Sequence, residues 1–166
     1  VKTTLVIDDG GRKAAGFKGA TGDCVTRAIA IAVGLPYVVV YNALNDLAKL
    51  ERPRGKRKRS NARTGVNRPT YHKLLLDLGA TWVPTMSIGS GCKVHLRADE
   101  LPAGRLVVRC SKHVVAVIDG VMHDEYDPSR DGTRCVYGYY VIPPPATART
   151  PGAEGSDMGS LTSASL

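Results

Sequence analysis

The sequence predicts an α+β domain in which N-terminal helices pack on a C-terminal antiparallel sheet. Apolar residues recur at helical spacing through the first half, from Val25 to Leu78. β-Branched and aromatic runs fill the stretch from Leu106 to Ile142, and Asp119-Gly120, a favoured pair for a two-residue hairpin, separates two of them. Helices followed by strands is the order of an α+β fold. The 166-residue length fits one domain with its own core once the C-terminal tail is set aside.

Residues 3 to 7 are expected to form a short strand, after which Asp8-Asp9-Gly10-Gly11 turns the chain toward Gly22-Asp23-Cys24. The Ala- and Ile-rich run from Val25 to Val33 predicts a first helix with Cys24 in or near its first turn and Gly34 just past its end. Pro36 suits the first position of a second helix, with Tyr37, Val40, Tyr41, Leu44, Leu47 and Ala48 as its buried stripe. Thr70 is expected to cap a third helix carrying Tyr71, Leu74, Leu75 and Leu78 and stopping at Gly79. Trp82 and Val83 suggest a short strand, and Met86 to Gly104 reads as loop. Strands follow at Leu106 to Cys110, His113 to Ile118, Val121 to Tyr126 and Val136 to Ile142. Pairing across Asp119-Gly120 sets Ile118 against Val121, Val117 against Met122 and Val114 against Glu125. Residues 143 to 166 open on three prolines and continue in Ala, Thr, Ser and Gly. They are expected to be a disordered tail behind a domain spanning residues 1 to 142.

The formal charge of +8 is concentrated in one stretch. Arg52, Arg54, Lys56, Arg57, Lys58, Arg59, Arg63 and Arg68 follow one another with no acidic residue among them. Such a run is expected to be a mobile loop between two helices. It offers three roles: a solvated surface, a site for nucleic acid or another polyanion through counterion release, or a border of the functional cleft that selects an acidic substrate or protein. No aromatic residues interleave it to stack bases, so sequence-specific reading is not expected.

Four cysteines with no CxxC pair and no Cys/His cluster argue against a zinc site or a disulfide framework, and no metal or cofactor is expected. The expected compartment is reducing and cytoplasmic. The apolar part of the N-terminal segment is too short for a signal peptide, and no stretch approaches a membrane span.

The chemistry centres on Cys24. A thiol becomes a strong nucleophile at neutral pH when a helix N-terminus and an imidazole stabilise its thiolate. The first helix supplies one support, because its positive end faces the residue that opens it. His113, opening the strand His113 to Ile118, is the candidate for the other. The hairpin brings Asp127, in Asp127-Pro128, back toward His113, where a carboxylate would fix the imidazole tautomer and stabilise the imidazolium. Cys24, His113 and Asp127 thus form a predicted triad of nucleophile, base and orienter. Asp124 ranks second as the carboxylate. Cys92, in a Gly-rich loop beside Lys93 and near His95, is a competing thiol without a helix behind it. Cys110 and Cys135 read as strand packing groups, and His72 as a solvated residue of the third helix.

Gly22-Asp23-Cys24 opening a helix, a strand-initial His113 and the following Asp127-Pro128 resemble the papain-like cysteine peptidases. Their closest resemblance is to the C39-like branch of bacteriocin-processing peptidases, over roughly residues 15 to 142. The resemblance implies a papain-like fold and hydrolysis of an amide, isopeptide or thioester bond in a peptide or protein through an acyl-enzyme on Cys24. Papain-like enzymes place a Gln shortly before the Cys to donate to the oxyanion, whereas this chain contains no Gln. The backbone N–H of Cys24 supplies one donor in its place, with Lys18 or Thr21 as candidates for the second. Transfer to an amine in place of water would make an acyltransferase. A cell-wall amidase with a Cys-His pair, in a phage or bacterial lysis role, is a related alternative. The contrasting expectation is a non-enzymatic scaffold that binds nucleic acid or an acidic protein through residues 52 to 68.

Overall fold

The structure is a computed structural model that describes residues 4–19, 21–52 and 54–145. Of the tail expected over residues 143 to 166, only residues 143–145 are described, and the rest lies outside the described residues. In chain order the elements are β1 (Leu5–Ile7), α1 (Cys24–Val33), α2 (Tyr37–Lys49), α3 (Arg68–Asp77), β2 (Thr81–Pro84), β3 (Arg105–Cys110), β4 (His113–Ile118), β5 (Val121–Asp124) and β6 (Val136–Ile142). The strands form one six-stranded sheet in the order β1-β5-β4-β3-β6-β2.

The α+β expectation holds, but the sheet is mixed and not wholly antiparallel. β1 lies parallel to β5, with Leu5 opposite Met122 and Ile7 opposite Asp124, while every other pairing is antiparallel. β1 and β5 are more than a hundred residues apart in sequence, and nothing local specifies the direction in which they pair.

The two sheet faces bury separate cores. Val107, Val114, Ala116, Tyr140 and Ile142 pack against Val25, Ala28, Ile29 and Ala32 of α1, Val40 and Leu44 of α2, and Tyr71 and Leu75 of α3. On the other face Leu106, Val108, Cys110, Val115, Val117 and Met122 pack beneath Leu96 and Leu101 from the long connection between β2 and β3. This is the period-two alternation of strands buried on both sides.

The β4–β5 hairpin has the expected register, Ile118 against Val121 and Val117 against Met122. Asp119 and Gly120 are both left-handed, at φ 47° and 79°, as a type I′ turn requires. Gly34 is left-handed and its N–H, with that of Leu35, closes on the carbonyl of Ala30 to end α1. Two helix starts move slightly. Pro36 is the extended residue before α2, and α3 begins at Arg68 with Asn67 before it, because Pro69 is tolerated in the first turn.

Two expectations are corrected. Cys92 and Cys135 form a disulfide, with Cα atoms 5.8 Å apart. The connection holding Cys92 pairs with the chain just before β6: His95 bridges Cys135, and the N–H groups of Leu96 and Val136 reach the carbonyls of Arg134 and Val94 at 2.8 Å. A separation of 43 residues gives no sequence sign of this closeness.

The basic stretch, expected to be mobile, is organised around Glu51. The N–H and hydroxyl of Ser60, the hydroxyl of Thr70 and the amide of Asn67 all donate to its carboxylate, which they hold at a pKa of about 2 against the opposing effect of burial. Farther along, Ala62 is fully buried, its N–H bonded to Asn45 and its carbonyl to the Thr26 hydroxyl.

Candidate functional site

α1 packs along β4 and runs in the same direction. At its C-terminal end the guanidinium of Arg105, opposite Ile118 in the sheet, donates to the carbonyls of Ala32 at 2.7 Å and Ile31 at 3.1 Å. A cation there complements the negative end of the helix dipole. At the other end, Cys24 is the first helical residue and His113 the first of β4, so docking the helix brings thiol and imidazole together. Gly22 is required just upstream. Its N–H bonds the carbonyl of Arg63, and a Cβ would lie 2.9 Å from the carbonyl oxygen of Thr64.

His113 is buried, and its Nε2 meets Oδ2 of Asp124 at 2.6 Å. The other nitrogen, Nδ1, faces the Tyr126 hydroxyl at 3.5 Å and is left for Cys24, whose thiol is hydrogen-bonded to the imidazole. Burial opposes ionisation of Cys24, but the hydrogen bond and charge of His113, the N–H of Val114 and the charge of Arg27 outweigh it, so the thiol is held below its ordinary pKa. Burial likewise opposes protonation of His113. Asp124 and then Cys24 overcome it and carry the imidazole up to about 9. The pair therefore favours thiolate and imidazolium.

The carboxylate on His113 is Asp124, and not Asp127. Asp127 is exposed and accepts the N–H of Ser129 at 2.8 Å, a side-chain turn at the start of the next loop. The hairpin register explains the difference. Continuing it places Tyr126 opposite His113, with ring centroids 5.5 Å apart, and the same-face diagonal neighbour is then Asp124.

Behind Asp124 lies a buried charge cluster that sequence reasoning missed. Arg27, one turn beyond Cys24, donates to Oδ1 of Asp124 at 3.0 Å, to Asp23 and to Glu125 at 2.9 Å. Asp23, 1% exposed, also accepts from the Tyr37 hydroxyl at 2.6 Å, the Thr21 hydroxyl at 2.7 Å and Arg12 at 3.1 Å. Arg12 spans to Glu125 at 2.5 Å. Burial raises the pKa of Asp23 and Asp124, but their partners win and both remain below the usual carboxylate range. The available signal was Asp23 and Arg27, four apart within an apolar helical run, where charges need buried partners.

Neither candidate oxyanion donor serves as expected. Thr21 borders the cleft, but its hydroxyl is committed to Asp23. Lys18 is exposed, does not line the cleft and lends its carbonyl to Arg63. The backbone N–H of Cys24, in the first turn of α1, belongs to the helix donors without an intrahelical acceptor.

The site opens into a cleft of about 560 Å³ whose walls include Thr64, Gly65, Val66 and Arg68 from the end of the basic stretch. Of the other cysteines, Cys110 is buried and its thiol pushed up to about 11, while Cys92 and Cys135 are bonded to each other. His72 is not a solvated residue: its Nδ1 meets the Tyr140 hydroxyl at 2.8 Å. Among the described residues no group of three His, Cys, Asp or Glu side chains is arranged to hold a metal ion, and no helix is long and apolar enough to cross a membrane. Compared with protein-family models, curated proteins and solved structures, the chain matches none of them.

Proposed function

We propose that the chain is a small papain-like thiol hydrolase acting on an amide, isopeptide or thioester bond of a peptide or protein. The observation that carries this is the line Asp124–His113–Cys24, its carboxylate and imidazole buried, with the half-buried thiol at the N-terminus of a docked helix and beside an open cleft. The thiolate attacks the carbonyl carbon, and the imidazolium gives its proton to the leaving amine or thiol as the bond breaks, leaving an acyl group on sulfur. Neutral His113 then takes a proton from water, which attacks the acyl carbon and expels the thiolate. Asp124 fixes the ring and stabilises its charged form. The Cys24 N–H is a donor for the developing oxyanion.

Iodoacetamide near pH 6.5 should label Cys24 rapidly and leave Cys110 untouched. 4-Nitrophenyl acetate should release a burst of one 4-nitrophenolate per chain that is lost in Cys24→Ala. Equally slow labelling of both thiols without a burst would sink the proposal.

A second function is favoured by one observation. Arg52, Arg54, Arg57, Lys58 and Arg59 line a separate concavity of about 490 Å³, and none of them pairs with a carboxylate among the described residues. This surface suits nucleic acid or an acidic protein through charge alone. Retention on heparin should fall steeply with salt and drop when Arg54, Arg57 and Arg59 are changed to Gln. Retention that is independent of salt would exclude it.

A further inference from the structure

The cleft is cationic in a way the nucleophile does not use. Its acids are spoken for: Asp23 is held by Arg12 and Arg27, and Glu125 by the same two guanidinium groups. Arg68, Arg109 and Lys112 also line it, and none of the three pairs with a carboxylate among the described residues. The two arginines are held by aromatic rings in place of acids. Arg68 lies 5.1 Å from the centre of the Trp82 ring and Arg109 lies 5.2 Å from that of Tyr137. Stacking fixes the plane of a guanidinium and leaves N–H edges for a planar anion. Lys112 is set by the tight β3–β4 link, where its backbone is left-handed at φ 54° directly before His113.

Cations with no internal acid, positioned around a nucleophile, match a negative charge brought by the substrate. On the reading of Cys24 as an acylated nucleophile, we propose that the cleft selects an acidic peptide, with a carboxylate of the substrate seated between Arg68 and Arg109 and steered past Lys112. A carboxylate suits the two flat guanidinium forks through paired hydrogen bonds. The neighbouring Thr64-Gly65-Val66 wall gives the basic stretch a part in this site separate from its outer concavity.

Iodoacetate and iodoacetamide deliver the same carbon to the same sulfur and differ in a carboxylate against a neutral amide. The ratio of their alkylation rates at Cys24, measured by mass spectrometry of the peptide, is expected to exceed that of free glutathione at least tenfold in low salt. It should fall about fivefold or more in Arg68→Gln/Arg109→Gln and, in the unaltered chain, in 0.5 M NaCl. The salt arm uses no variant, so it does not depend on the double variant folding. Rapid labelling by iodoacetamide with a ratio no greater than that of glutathione overturns carboxylate selection and leaves the thiol hydrolase standing. Slow labelling by both reagents overturns both.

Discussion

Arg27→Met is expected to lower the free energy of unfolding by about 3–5 kcal/mol at pH 7, the range for removing one partner of a buried ion pair. The size follows from what remains. Asp23 and Asp124, 1% and 2% exposed, would keep their charges in the interior without the cation between them, although Arg12 and His113 each retain a contact to one of them. The sign of the pH dependence provides an independent check. Both carboxyls have a lowered pKa in the fold, so the stability they contribute is present above the unfolded value of about 3.9 and is lost as pH falls through the folded values. Without Arg27 their folded pKa values rise, and the variant takes up protons before the parent does. Its deficit in urea denaturation should therefore shrink between pH 7 and pH 4.5. Arg27→Lys should fall between the two chains, since one compact ammonium cannot reach Asp23, Asp124 and Glu125 together. A deficit under about 1 kcal/mol at pH 7, or one that is equal at both pH values, contradicts a cluster of this kind.

The same cluster shows where sequence reading succeeds and where it stops. Local chemistry was legible: Asp119-Gly120 specified its turn, Gly34 ended its helix, and β4 and β6 have the bounds their β-branched and aromatic runs imply. Cys24 and His113 were legible because helix start and strand start are local events. Asp124 was legible too, through strand parity. In a hairpin that sets Val114 against Glu125, the even-numbered residues near the end of β5 share the face of His113, while Asp127 falls on the opposite one and beyond the strand. Choosing Asp127 weighed closeness to the strand end above that alternation. The Cys92–Cys135 bond, the parallel placement of β1 and the folding of the basic stretch onto Glu51 depend on contacts between segments distant in sequence. Composition described that stretch as charge without a core, and the three hydrogen-bonding side chains that anchor it, Ser60, Asn67 and Thr70, carry no charge to mark them.

His113→Ala is expected to slow iodoacetamide labelling of Cys24 at pH 6.5 by about tenfold or more. Without the imidazole the thiol loses its hydrogen bond and neighbouring charge and keeps the burial that opposes ionisation. The N–H of Val114 and the charge of Arg27 remain as its only supports, so the thiolate fraction at pH 6.5 falls toward that of an ordinary thiol. The higher intrinsic nucleophilicity of a more basic thiolate recovers part of the loss. Asp124→Asn should have a smaller effect, because Cys24 still favours the imidazolium when the carboxylate is gone. Stability distinguishes this ion pair from two independent groups. A histidine raised to about 9 contributes stability that is complete below its unfolded value near 6.5 and lost as pH rises through 9. A lowered cysteine contributes stability that is complete above its unfolded value near 8.5 and lost as pH falls through the folded one. From the higher of about 6.5 and the lowered Cys24 value up to about 8.5, the folded pair holds one proton on His113 and the unfolded chain holds one on Cys24, so folding exchanges no proton there. The urea midpoint of the parent should be level across that window, apart from other titrating groups. His113→Ala removes the compensating proton. If its thiol is then un-ionised in both states the midpoint stays level, and the parent's advantage over the variant should be greatest inside the window and decline on both sides. An advantage that instead climbs steadily from pH 6 to pH 10 would mean that His113 and Cys24 do not share a proton.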